Sequence, residues 1–408
     1  MKTLKRILAA TTLLVTLGFA SEANAQVPLE NFFKNPEKAG YQISPDGKYF
    51  SYMAPYENRL NLFVQEVGSD KATRITSETV RDLAGSMWAN GHRILYIKDT
   101  AGDENFQLYG VNVDGTDSKA YTAFPKVRTT IIDPLENIDS LVIIGLNKRN
   151  PQVFDPYRLN LNNGELTQLA ENPGNIQGWM TDHNGKLRVA LAIVDGVNTQ
   201  ILYRETEEQP FRPVLTTNFK ETVSFATFTP DNKMVYALTN IGRDKTALVL
   251  MDPATCEEKE VLYTNDKYDI SGLGYSELKK KLISVSCTGH KGTIRHYFDK
   301  NEEAIRTKLE QKLEGYDINT TSEDKSENIR IIYAGGDRTY GTYYTYNVKE
   351  DKLTKIADLA PWIKEEDMVP MHPITYTSRD GLTIEGYLTL PKGYTCLLYT
   401  SDAADDLI

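Results

Sequence analysis

Three consecutive residues, Asp103, Glu104 and Asn105 in the stretch GDENFQLY, make the acidic cluster best suited to ligand chemistry in this chain. A carboxylate held about 4 Å from a ligand ammonium gains roughly a few kcal/mol at an effective dielectric of about 20, enough to select ligands by a cationic end. Arg59, Arg149, Arg243 and Arg338 are the cationic candidates. Each of these side chains also has a plainer reading, as a polar group that keeps an exposed loop in water. No covalent catalyst accompanies them. The nucleophile-elbow pattern G-x-S-x-G is absent: Gly274-Tyr275-Ser276 begins it and Glu277-Leu278 breaks it, so no catalytic residue is assigned. His92, His183, His290, His296 and His372 show neither HExxH nor His-x-His spacing, so no metal and no other cofactor is expected. Cys256, Cys287 and Cys396 are too few for a disulfide framework or a cysteine zinc site, although Cys256 and Cys287 could pair.

Composition narrows the partners. Among 408 residues, 40% are hydrophobic and 25% charged, with 24 tyrosines against 13 phenylalanines. That balance suits a β-rich protein with many half-exposed strands, where tyrosine packs its ring and wets its hydroxyl. A net charge of -10 argues against nucleic acid and against anionic membranes, which both need a basic surface. Lys2, Lys5 and Arg6 precede an apolar run over residues 7–19, and Ala23-Asn24-Ala25 supplies a small-x-small cleavage pattern. Residues 1–25 therefore read as a signal peptide cut between Ala25 and Gln26. The expected location is periplasmic or secreted, with no membrane attachment after cleavage and no cysteine placed for a lipid anchor.

The elements that must position the candidates come from a repeat. Ser44-Pro45-Asp46-Gly47-Lys48 leads into YFSYMA, NLFVQEV and ATRIT, and later segments keep this order of turn and strands with different residues. Equivalent points fall at Ser44, Ser86, Thr130, Trp179, Phe225, Gly272 and Ile318, spaced by 42, 44, 49, 46, 47 and 46 residues. A period in the forties with about four short strands per unit is the signature of a β-propeller blade. The expected fold is all-β, a seven-bladed β-propeller over residues 26–357. The Asp-Gly and Asn-Gly turns supply the positive φ of tight hairpins and read as structural. The sixth repeat departs from the pattern. Ile305, Leu309 and Leu313 stand at helical spacing behind Glu302 and Glu303, and Gly315 stops the run, which predicts a short helix over 301–315 in place of an outer strand.

Antiparallel strands imply that the chain enters and leaves each blade on one face, with the loops between second and third strands on that same face. Asp103, Glu104, Asn105, Arg59, Arg149, Arg243 and Arg338 all fall in or beside such loops, whereas the Asp-Gly turns point the other way. Residues 358–373 read as an acidic, proline-marked linker containing Trp362. Residues 374–395, ITYTSRDGLTIEGYLTLPKGYT, read as two strands around Ser378-Arg379-Asp380-Gly381 and the start of something further.

SPDGKYFSYMAP, GDENFQLY and above all YTSRDGLTIEGYLTLPKG resemble the prolyl oligopeptidase family of serine peptidases, in its dipeptidyl-peptidase and acylaminoacyl-peptidase branches, over essentially all of residues 27–395. The resemblance implies a propeller that caps an α/β-hydrolase domain and admits short peptides, with catalysis by Ser, Asp and His in that order. It makes residues 374–395 the first strands of a hydrolase domain that these 408 residues truncate, set over the loops carrying Asp103 and Glu104. Cys-Leu-Leu-Tyr-Thr-Ser-Asp-Ala-Ala-Asp resembles a translated sequencing adapter, so residues 396–408 are expected to be an artefact and the chain inactive alone. The alternative is a stand-alone envelope propeller that binds protein or glycan. Oligomeric state is open on either reading.

Overall fold

The computed structural model describes residues 27–392. The signal-peptide reading with its Ala25-Gln26 junction, and the adapter reading of 396–408, lie outside the described residues. Two compact units are present. One holds residues 37–335 and 341–359, and the other holds the described residues of 27–36, 336–340 and 360–392.

The first unit is a ring of seven antiparallel sheets, the seven-bladed propeller that the repeat predicts. Each sheet is built from strands consecutive in sequence, and none borrows a strand from another blade. All seven repeat points lie in or directly after the first strand of their blade. Middle strands read as apolar runs because both their faces meet neighbouring blades: in Leu141–Asn150, Val142, Ile143, Ile144 and Leu146 are fully buried. The core is divided accordingly. Leu62 and Val64 of the first blade pack with Ile94 and Val111 of the second, and Val189 and Tyr203 of the fourth pack with Phe228 and Val249 of the fifth. Burial of each such side chain stabilises the ring by about 1.5–3 kcal/mol.

Ring closure relies on the same contacts. Ile331 of the seventh blade packs with Tyr41, Ile43 and Phe50 of the first. The Ile43 amide donates to Ser322 Oγ at 3.1 Å, and the Lys325 amide donates to the Pro45 carbonyl at 2.9 Å.

The sixth blade has three strands, followed by the helix Lys300–Lys312. Asp299 caps it by accepting from the amides of Asn301 and Glu302. Leu309 and Leu313 pack on Ile318, Ile332 and Tyr346 of the seventh blade. Glu302 does more than the first-turn charge its position suggests. Buried at the helix start, it receives Arg330 Nη1 at 2.8 Å, Arg330 Nη2 at 3.0 Å and Lys279 Nζ at 2.6 Å. Burial alone would raise its carboxyl, but these donors hold it below the usual range. Cys256 and Cys287 are both free thiols, so the pairing that the sequence allowed is not made.

In the second unit, the helix Leu29–Phe33 is held by Trp362 Nε1 on the Asn31 carbonyl at 2.9 Å and by Tyr340 Oη on the Phe32 carbonyl at 2.7 Å. Met371–Thr377 and Thr383–Thr389 pair antiparallel. Their turn is closed by the Ser378 amide on the Leu382 carbonyl at 2.8 Å, with Gly381 at φ 87°. The first of these strands starts at Met371, earlier than the expected 374, so the linker gives Met371, His372 and Pro373 to the sheet. Tyr376, Leu382 and Tyr387 of this strand pair and its turn are all more than half exposed.

Candidate functional site

Within the propeller unit, alternating strand direction puts the loops at 57–58, 99–106, 151–152, 195–197, 240–246 and 290–291 on one face, as the sequence predicts. The loop at 99–106 is the most elaborately built. Its root is Asp99, buried, whose carboxylate accepts from the Glu104 amide at 3.2 Å and faces Arg81 Nε at 3.5 Å. Asp103 accepts from the Thr100 amide at 3.2 Å, the Asn105 amide at 3.1 Å and Asn105 Nδ2 at 3.1 Å. Those bonds, with Asn105 the largest, hold the Asp103 carboxyl below the usual range. Asp103 and Asn105 are thus spent on the loop's own shape.

Glu104 differs. Its backbone stands at φ 56°, next but one to Gly102 at 90° and close to Ala101 at 55°. A non-glycine residue in this region stores about 1 kcal/mol of strain and needs surroundings that impose it. The Asp99 carboxylate imposes it by gripping the Glu104 amide. The Glu104 side chain is exposed, and its carboxylate has no ion-pair partner among the described residues. Arg81, on the segment joining the first two blades, places its guanidinium beside Gly102. Arg81 and Asp99 are absent from the sequence-derived candidates, because their meeting depends on how the first blade docks on the second.

The arginine candidates separate. Arg59 opens the strand Arg59–Glu66 half-buried and without an ion pair among the described residues. Arg149 is bound in two-pronged fashion to the fully buried Asp155, Nε to Oδ2 at 2.9 Å and Nη2 to Oδ1 at 3.0 Å, with Nη2 also on the Asn172 carbonyl at 2.7 Å. Arg243 Nη2 lies 2.9 Å from both oxygens of Glu258. Arg338 belongs to the other unit, 4.0 Å from Asp337 and 3.9 Å from Glu365. Of the four, Arg59 alone keeps a guanidinium uncommitted among the described residues.

The opposite face of the propeller holds two cavities, of about 330 and 850 Å³. Trp88 Nε1 and Tyr275 Oη line the larger and have no hydrogen-bond partner among the described residues. Burial, with Glu277 nearby, pushes the Tyr275 hydroxyl up to about 12, so it remains a donor at neutral pH. Glu136 is exposed on the wall that both cavities share, yet protein crowds around it. That desolvation, reinforced by Glu277 and Asp133, raises its carboxyl above the usual range. Among the described residues no group of three or more His, Cys, Asp or Glu could hold a metal ion, and no helix is long and apolar enough to cross a membrane.

No family model matches the chain. It is 29% identical over 372 residues to dipeptidyl aminopeptidase BIII of Pseudoxanthomonas mexicana, covering 88% of this chain and 52% of that protein. It is 26% identical over 403 residues to dipeptidyl peptidase family member 6 of Caenorhabditis elegans, covering 93% of this chain and 53% of that protein. A solved prolyl endopeptidase superposes with a TM-score of 0.63 at 12% identity, over 89% of this chain and 55% of its own. The chain is thus similar in sequence to dipeptidyl peptidases and in its propeller fold to a prolyl endopeptidase. Prolyl oligopeptidase B of Galerina marginata shares the fold with a TM-score of 0.56 at 12% identity, over 88% of this chain and 56% of its own. The chain spans about half the length of the curated relatives it matches.

Proposed function

We propose that this chain supplies the substrate-gating propeller of an exported serine peptidase acting on short peptides, and that its rim loop at 99–106 meets the peptide's amino end. The observation that carries the reading is Glu104: a solvent-facing carboxylate, unpaired among the described residues, held on a strained backbone by the buried Asp99. A dipeptidyl aminopeptidase among the relatives supports it, since such an activity must distinguish a free amino end. Arg59, on the same face, is positioned by topology to offer a donor to a peptide carbonyl or carboxylate. Serine catalysis would need a G-x-S-x-G motif with Asp and His, and these 408 residues contain no such motif, so the genomic sequence of the complete gene tests whether it encodes one.

The test is kinetic, on the complete protein. Glu104→Gln is expected to raise KM about fivefold for peptides with a free amino end and to leave amino-blocked peptides unaffected, the share of a carboxylate–ammonium contact that survives screening at an exposed site. An unchanged KM for free-amino peptides in this variant removes Glu104 from the reading. Absence of the downstream serine motif removes the peptidase.

A further inference from the structure

One first turn of the ring does not conform to the tight pattern. Between first and second strands, six blades use two to six residues, whereas the third uses seven, residues 134–140. This segment folds as consecutive turns. The Leu135 amide donates to Asp133 Oδ1 at 2.8 Å, the Ile138 amide to the Leu135 carbonyl at 2.7 Å, and the Leu141 amide to the Ile138 carbonyl at 3.0 Å. Its base sits on the fourth blade: Leu135 is buried, the Leu135 and Ile138 side chains cover Gly185, and the Thr181 hydroxyl donates to Asp133.

Its tip goes much further. Asn137 Nδ2 donates to Glu277 Oε2 at 3.0 Å, on the sixth blade, and Asp139 Oδ1 receives Lys325 Nζ at 2.7 Å, from the seventh. Asn90 Nδ2 of the second blade donates to the Asp139 carbonyl at 3.2 Å. In a seven-bladed ring the sixth and seventh blades stand opposite the third, so a segment that touches them crosses the axis. The cavities agree with this path, because Pro134, Glu136, Asn137 and Glu277 line both of them. Segment and Glu277 together form the wall that divides the channel mouth.

We propose that residues 134–140 are a strap that closes the propeller channel on the turn face, seated permanently at Leu135 and latched reversibly at its tip. The division of labour follows from burial. Leu135 is held by apolar packing, which does not open readily. Asp139 and Lys325 are exposed, 63% and 44% at their side chains, and an ion pair so placed is a weak latch. Unlatching Asn137 and Asp139 joins the two cavities and opens the larger one to molecules arriving from this face.

The test uses the chain as described, carrying Thr320→Cys on the first strand of the seventh blade, where residue 320 lines the larger cavity. A bulky polyethylene-glycol maleimide is the probe, and peptide mapping counts only the label at position 320. Labelling through the opposite mouth is common to every variant. Asp139→Lys is expected to speed labelling about fivefold, the change in open population that loss of one exposed ion pair brings. The charge swap Asp139→Lys with Lys325→Asp is expected to restore the slow rate. Asn137→Ala, which cuts the tie to Glu277, gives a second variant of small perturbation and is expected to speed labelling likewise. An unchanged rate in Asp139→Lys and Asn137→Ala, or a swap that stays fast, overturns the strap. The readout needs no peptidase activity, so failure here and failure of the peptide-binding reading are separable.

Discussion

Arg149 offers the sharpest contrast between a binding and a bracing role. Its partner Asp155 is fully buried and accepts three donors: Arg149 Nε, Arg149 Nη2 and the Asn172 amide at 2.7 Å. Arg149→Ala leaves a buried carboxylate with one backbone donor. Breaking a buried pair from one side costs about 3–5 kcal/mol, and the 38% exposure of the Arg149 side chain admits water and reduces this to about 2–3 kcal/mol. The propeller unit of about 320 residues has an unfolding entropy near 0.7 kcal/mol per kelvin, so the expected fall in melting temperature is about 3–4 °C. Arg149→Lys supplies a point charge without the two-pronged geometry and is expected to lose about half as much. In an Asp155→Ala background, Arg149→Ala is expected to change stability by less than about 0.5 kcal/mol, because the two side chains act as one unit. Scanning calorimetry at pH 7 reads the parent and the four variants. A melting temperature for Arg149→Ala within about 1 °C of the parent would refute the bracing role and return this guanidinium to the ligand-binding candidates.

Two further outcomes test other parts of the ring. Hydrogen-bonded pairing with Lys281, and the amides of Glu302 and Asn301, hold the Asp299 carboxyl at about 2, below its ordinary 3.8. A depressed carboxylate contributes stability above pH 4 and loses it as pH falls from about 4 through about 2; Asp299→Ala is expected to cost about 1 kcal/mol at pH 7 and to flatten the melting curve across that acid window, and an equally steep fall in the variant removes Asp299 as its source. Burial, with Asp252 nearby, pushes the Cys256 thiol up to about 11, so iodoacetamide at pH 8 should label it about a hundredfold slower in the folded chain than in urea; peptide mapping that finds equal rates contradicts the buried setting.

Much of this was legible in the sequence because it is local. Alternation of apolar and polar residues within five to ten positions sets a strand, and Asp-Gly at a hairpin sets its turn. The helix after the sixth blade announced itself through Ile305, Leu309 and Leu313, whose spacing is a property of one helical turn. The site was legible only in outline. GDENFQLY marked the loop, but not that Asp103 and Asn105 bond each other while Glu104 is left to face water. The arginines looked alike in sequence, yet Arg149 and Arg243 are committed to carboxylates that the strand pairing delivers to them. The strap was missed altogether. IIDPLENIDS reads as one more loop between strands, and nothing within it says that its tip finds Glu277 and Lys325.

Sequence alone therefore determined the number of blades, the face on which each loop emerges and the place of the helix, since each follows from short-range sterics and periodicity. Tertiary structure decided which charges are free. Residues 140 and 186 positions apart meet only because seven blades, each unable to bury both faces alone, close into a ring and bring opposite sides to a common axis.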